Sequence, residues 1–253
     1  MRFKRFFFTL VISILLGSSC NKNENGTVEF IFTHTVDGNS VQFNKLIYTN
    51  TAKNQYQINE IKYFISKITL YDANGKSVEI TQDEGIHYVD CNLPNTLRWK
   101  IDDIPQGKYI SISFIFGLNK EDNISNRFVN PPESNFSWPN HLGGGYHYMQ
   151  INGKFLNKEG NIQNINIHTG TGQIYNANNE VVEFVHNFAL LHYFIDYSIK
   201  SKTSITFNME IQRWFDTPNL YNFDDFGTGI MQNQEAQKLL RENMWNLFEF
   251  SII

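Results

Sequence analysis

Alternation with a period of two runs through so much of this 253-residue chain that it restricts the fold before anything else does. In Thr27–His34 the residues Val28, Phe30, Phe32 and His34 fall on one face. In Tyr109–Phe116 the apolar Ile110, Ile112, Phe114 and Phe116 alternate with Ser111 and Ser113. In Ser204–Trp214, Ile205, Phe207, Met209 and Ile211 alternate with Thr206, Asn208, Glu210 and Gln212. Successive side chains on a strand point to opposite faces, so this pattern specifies strands with one face on a core. Glu60–Tyr71 and Phe184–Ile195 are more continuously apolar, as expected of strands covered on both faces. Asp37-Gly38, Asn74-Gly75, Pro105-Gln106-Gly107, Asn152-Gly153 and Glu159-Gly160 supply turns, and Asn74-Gly75 reads as the tip of a hairpin. Helical spacing appears only near the C-terminus. There Asn233 is an N-cap candidate and Ala236, Leu239, Leu240 and Met244 share a face over 234–246, with a last strand over 247–253. The expected fold is all-β: one antiparallel β-sandwich of the immunoglobulin or jelly-roll kind over residues 27–253, with a short C-terminal helix.

The first twenty residues, MRFKRFFFTLVISILLGSSC, have a different logic. Arg2, Lys4 and Arg5 precede an apolar run from Phe6 to Leu16, and Gly17, Ser18 and Ser19 lead into Cys20. Eleven residues fall short of the roughly 20 that span a bilayer core. Residues 1–19 therefore read as a secretory signal. Leu16-Gly17-Ser18-Ser19-Cys20 resembles the lipobox of bacterial lipoproteins, in which the cysteine is lipidated and becomes the new N-terminus. The expectation is a lipoprotein of the bacterial outer membrane, held on the membrane through Cys20, with 20–26 as a polar tether. Cys91 would then be the one free thiol.

Composition removes several classes. With 21 basic and 25 acidic residues the formal charge is −4. No basic stripe is present, so a nucleic-acid partner is not expected. Two cysteines can build neither a disulfide scaffold nor a cysteine-rich zinc site. Phosphate-loop, G-x-S-x-G and H-E-x-x-H motifs are missing. Gly143-Gly144-Gly145 precedes a strand and has no helix behind it to bind a phosphate. Asp102-Asp103 and Asp224-Asp225 are sequence neighbours, which on strands point apart. No enzymatic activity is expected.

The seven histidines carry the remaining information. His34 ends a strand on the face of Phe30 and Phe32, at the rim of the core. His147 is expected to share a strand face with Met149 and Ile151. Imidazole and thioether two residues apart lie about 7 Å apart at Cα, a pairing that suits copper(I). His168 closes the strand 162–168 and is followed by Thr169-Gly170-Thr171-Gly172, which places it at a strand tip. His186 and His192, about 20 Å apart if extended, cannot share a metal. His192 reads as a core residue and His87 as a loop residue.

Several segments together resemble the MbnP-like proteins, the secreted copper-binding proteins associated with methanobactin operons and their lipoprotein relatives. They are Phe32-Thr33-His34-Thr35-Val36-Asp37-Gly38, the stretch Ile61 to Ile68, and Ser113-Phe114-Ile115-Phe116-Gly117. Phe136-Ser137-Trp138 with Gly145-Tyr146-His147-Tyr148-Met149 is similar to an aromatic segment of that family, and His168-Thr169-Gly170-Thr171-Gly172 to its His-x-Gly-Ser/Thr-Gly motif. The resemblance runs over roughly 27–250. It implies an envelope β-sandwich that holds copper through histidines, with a tryptophan near the site, and in some members a haem-peroxidase-type partner that oxidises that tryptophan. The matched positions here are His168 and Trp138. The chain departs from the pattern at Asn123-Ile124, where copper-linked members carry Asn-His. It also has Gln173 where a cysteine is usual, and an insertion over 139–144.

The leading expectation is thus a copper carrier, scavenger or sensor with His34, His147 and His168 as ligands and Met149 as a soft fourth. Trp138 would be the nearby aromatic. Binding should weaken as pH falls and imidazoles protonate. The alternative is a non-catalytic glycan- or protein-binding module, in which exposed Trp99, Trp138, Tyr146 and Tyr148 stack on sugar rings.

Overall fold

The computed structural model describes residues 24–226 and 228–252. The signal segment and Cys20 lie outside that range. Fifteen strands are present among the described residues. The first eight are β1 (Asn25–Val36), β2 (Asn39–Ser40), β3 (Tyr48–Thr49), β4 (Gln55–Asp72), β5 (Ser77–Glu79), β6 (Ile86–Asp90), β7 (Arg98–Pro105) and β8 (Gly107–Phe116). After a long loop come β9 (Met149–Leu156), β10 (Ile162–Thr169), β11 (Thr171–Tyr175), β12 (Val181–His186), β13 (Ala189–Ile199), β14 (Lys202–Glu210) and β15 (Phe248–Ile252). Two α-helices, α1 (Phe223–Phe226) and α2 (Gln234–Asn243), lie between β14 and β15. No helix among the described residues is long and apolar enough to cross a membrane.

The larger sheet runs β10-β9-β4-β8-β13, with β3, β5 and β6 also pairing with β4. The smaller runs β15-β14-β1-β2, with β7 pairing along the same edge of β1 as β2. Alternating residues of both sheets meet between them: Val28, Phe30 and Phe32 from β1, Ile205, Phe207 and Met209 from β14, and Ile61, Tyr63 and Ile65 from β4. The expected all-β sandwich is therefore the fold. Its pairing is antiparallel except for β1 and β14, which run parallel with Phe30 opposite Ile205 and Phe32 opposite Phe207. In β8 the inward set begins at Tyr109, not Ile110, because a bulge beside Tyr71 and Asp72 shifts the register.

The apolar run in β4 is explained by a second core. Ile61, Tyr63 and Ile65 face the first core, while Phe64 faces the other way into a cluster with Ile86, Tyr88, Leu118, Phe136, Tyr146 and Tyr148. The loop between β8 and β9 folds over the outer face of the larger sheet and supplies most of these rings. An ion-pair cluster fastens it: Asp122 meets Lys67 of β4 at 3.1 Å and Arg127 at 3.0 Å, and Arg127 also pairs with Glu84. The stretch 184–195 departs from expectation. It breaks at Asn187-Phe188 into β12, exposed along most of its length, and β13, a sheet edge on which His192 is exposed and not a core residue.

The C-terminal helix forms where its cap predicts, with the Asn233 side chain accepting from the Ala236 N–H at 3.0 Å. Its first turn reaches into the molecule through amides. Gln237 accepts from the Gly170 N–H at 3.0 Å, and Asn187 bonds Gln234 and Gln237 as well as the Gly170 carbonyl. This buried network holds the turn that follows His168.

Candidate metal centre

His147 and His168 come together on the outer face of the larger sheet, with ring centroids 5.2 Å apart and planes at 80°. Strand periodicity places His168: Ile167 and Thr169 point into the sandwich, so His168 points out, opposite Gln150 of β9. His147 arrives by a different route. The segment before β9 is not a regular strand, carrying only an isolated bridge between Ser137 and Tyr146. Its chain bends at Tyr148, whose N–H goes to the Thr169 carbonyl at 2.8 Å and whose carbonyl accepts from Phe64 at 3.1 Å.

That bend corrects the expected ligand set. His147 does not share a face with Met149, because period-two projection fails across an irregular backbone. Met149 is fully buried in the inter-sheet core. His34 also lies on the inner side, edge-on to Tyr63 at 5.7 Å, on the far side of the β4–β9 backbone from the histidine pair. Of the four expected donors the structure joins two. Among the described residues no three His, Cys, Asp or Glu side chains gather into a metal-binding group.

The joined pair is closely controlled. His147 is boxed by Phe136 at 5.1 Å, Trp138 at 4.8 Å and His168. Its Nδ1 lies 3.0 Å from the Phe136 carbonyl, which can only accept, so Nδ1 carries the proton and Nε2 keeps its lone pair. That Nε2 is buried and has no partner. His168 Nε2 lies 2.8 Å from Asn152 Oδ1. The orientation of that amide is fixed by its own NH₂, which donates to Glu60 at 2.8 Å. His168 therefore donates from Nε2 and keeps its lone pair on Nδ1. Burial would raise the Glu60 carboxyl, but hydrogen bonds from Lys62, Asn152 and Asn92 outweigh it and hold it below its ordinary value. Burial lowers both imidazoles to about 4, with His147 adding to the effect on His168. Both rings are neutral at pH 7.

Trp138 is buried at 2 % exposure and held by two bonds, from its Nε1–H to the Leu142 carbonyl at 3.0 Å and from its backbone N–H to Gly145 at 2.8 Å. The glycines around it are steric requirements. A Cβ on Gly170 would sit 2.6 Å from the indole, and one on Gly145 would sit 2.4 Å from Asn123 Oδ1. Asn123 uses that oxygen to hold the Tyr146 N–H at 2.8 Å. A cleft of about 720 Å³ opens beside the pair, walled by His168, His141, Leu142 and Met231 among others. The chain carries no clear signal for His141 or Met231, since neither lies in a periodic segment. Trp99, Trp138, Tyr146 and Tyr148 are all buried, which corrects their reading as exposed sugar-stacking rings.

Two sheets closed over one core, a second aromatic core under a long loop, and a sequestered imidazole pair beside a tryptophan define a β-sandwich with one candidate metal centre. The family model described as MbnP matches residues 25–232, and the chain belongs to that family. The solved structure of MbnP from Methylosinus trichosporium is similar in fold, with a TM-score of 0.60 and 14 % identity over 90 % of this chain and 99 % of that one. No curated protein matches.

Proposed function

We propose that this protein is a cell-envelope copper(I)-binding protein in which His147 and His168 hold the ion, with Cys20 as its lipid anchor. The observation that carries the reading is the buried, unpartnered Nε2 of His147 beside a second neutral imidazole. A buried acceptor without a donor costs about 1–3 kcal/mol, and a cation would satisfy it. The donor set fits. Two imidazole nitrogens at about 2.0–2.1 Å from one ion allow ring centres up to about 6 Å apart, and these lie within that limit. Imidazole nitrogen suits copper and zinc better than hard magnesium or calcium, and neither ring is hydrogen-bonded to a carboxylate. The Phe136 carbonyl and the Glu60–Asn152 pair act as the outer partners that fix ligand tautomers in metal sites. When bound, copper(I) would supply a stored soft ion. The chain's own residues orient two lone pairs and exclude water. Oxidation of Trp138 by a haem-peroxidase-type partner, implied by the resemblance, is a separate proposal.

The test is a chelator competition with copper(I) on the purified protein. One ion per chain, bound more tightly than micromolar and lost in His147→Ala and His168→Ala but not in His34→Ala, is the expected result. Binding no tighter than micromolar, or unchanged in His168→Ala, overturns it.

A further inference from the structure

His147 is buried, and His168 belongs to the wall of the cleft, so the cleft opens onto one member of the pair. Two more soft-ion donors border the same cleft. His141 is exposed on the short turn Asn140–Leu142, and Met231 is half-buried ahead of α2.

Both are built into the frame that carries the inner pair. The Leu142 carbonyl, one residue after His141, accepts from Trp138 Nε1 at 3.0 Å and from Gln173 Nε2 at 2.8 Å, and Trp138 packs on His147. The Met231 carbonyl accepts from Gln237 Nε2 at 3.0 Å. The oxygen of that same amide accepts from Gly170 N–H, two residues beyond His168. Among the nine described residues lining the cleft, none is Asp, Glu, Lys or Arg. A hydrated hard cation finds no anionic oxygen there, while imidazole and thioether suit a soft monovalent one.

We propose that this cleft is a loading port, in which the Met231 thioether and the His141 imidazole capture a soft monovalent cation and pass it to His147 and His168. The port rests on the copper reading for the identity of its cargo. Transfer is ligand exchange between neutral donors: one metal–donor bond forms as another breaks, and the ion keeps its charge.

Silver(I), which undergoes no redox change under these conditions, is the probe, and the purified protein carries ¹³C-methyl methionine. In His147→Ala/His168→Ala the Met231 methyl resonance is expected to move on addition of silver(I), because the outer donors remain. In the intact inner site, His141→Ala/Met231→Leu is expected to slow loading and release together by about tenfold, with affinity within about twofold, since the ratio of the two rates sets the affinity. A Met231 methyl that stays still, or loading rates equal to wild type, overturns the port. A moving Met231 methyl in a wild-type protein that holds neither silver(I) nor copper(I) tightly leaves capture by the outer donors standing, overturns the hand-off and removes the copper reading.

Discussion

Gly170→Ala tests how the tryptophan is seated against the histidine pair. The added Cβ would lie 2.6 Å from Trp138 Cε3, 2.7 Å from Cδ2 and 2.9 Å from Cζ3, all under the closest approach that real Cβ atoms show. The indole has little room to retreat. Its N–H is tied to the Leu142 carbonyl, and it meets His147 in a T-shaped contact with ring centroids 4.8 Å apart. The glycine backbone cannot move away freely either, because its N–H and C=O are both held by the buried amides of Gln237 and Asn187. Overpacking of this kind costs about 1–3 kcal/mol, which for a domain of this size lowers Tm by about 4–8 °C at the middle of the range. Thermal and urea melts followed by tryptophan fluorescence measure it, with Gly229→Ala as the control, since a Cβ there meets nothing within 4 Å. A Gly170→Ala protein that melts within about 1 °C of wild type, or a control that loses as much, refutes the reasoning.

Acid is the second perturbation. Burial lowers His34, His87, His147 and His168 to about 4, against about 6.5 in an unfolded chain. Between those values the unfolded state binds more protons, so stability is whole above pH 6.5 and drains as pH falls towards 4, by up to about 1.4 kcal/mol per pH unit for each histidine. Urea midpoints from pH 7.5 to 4.5 should decline, and a flat series contradicts the burial argument. Copper(I) affinity should hold well below pH 6.5 and fail only near the lowered values, a narrower acid sensitivity than free imidazoles would give. Asn152→Ala removes the acceptor that sets the His168 tautomer, and affinity in the chelator competition should drop about 10–100-fold. Unchanged affinity would show that the ring needs no such partner.

Much of the fold was legible because period two survives in β1, in β14 and in β8 from Ile112 onward, where alternate residues meet the core. The cap at Asn233 was legible for a local reason, since its bond closes within three residues. The doubly apolar stretch of β4 announced a second covering layer but not its source. The covering loop, 117–148, is held by scattered aromatics and ion pairs that have no period to read. The site was half legible. His168 followed from its strand, whereas His147 was placed beside Met149 by extending a strand pattern through a bend that only the bonds of Tyr148 create. His34 lay on a readable face, but which sheet face it met depended on the β1–β14 pairing, a contact between residues about 170 positions apart.

The length of β4 also fixes a distance. The described chain begins at Glu24, whose carbonyl accepts from the Gln106 N–H at 2.8 Å, beside the end of the sandwich where Asp72 faces Tyr109. His168 and Gln150 sit level with Lys62, ten residues back along the same strand. At about 3.3 Å per residue that is a rise of about 30 Å. Measured along the strands, the imidazole pair therefore lies about 30 Å from the point where the described chain begins, so the two features occupy well-separated parts of the sandwich.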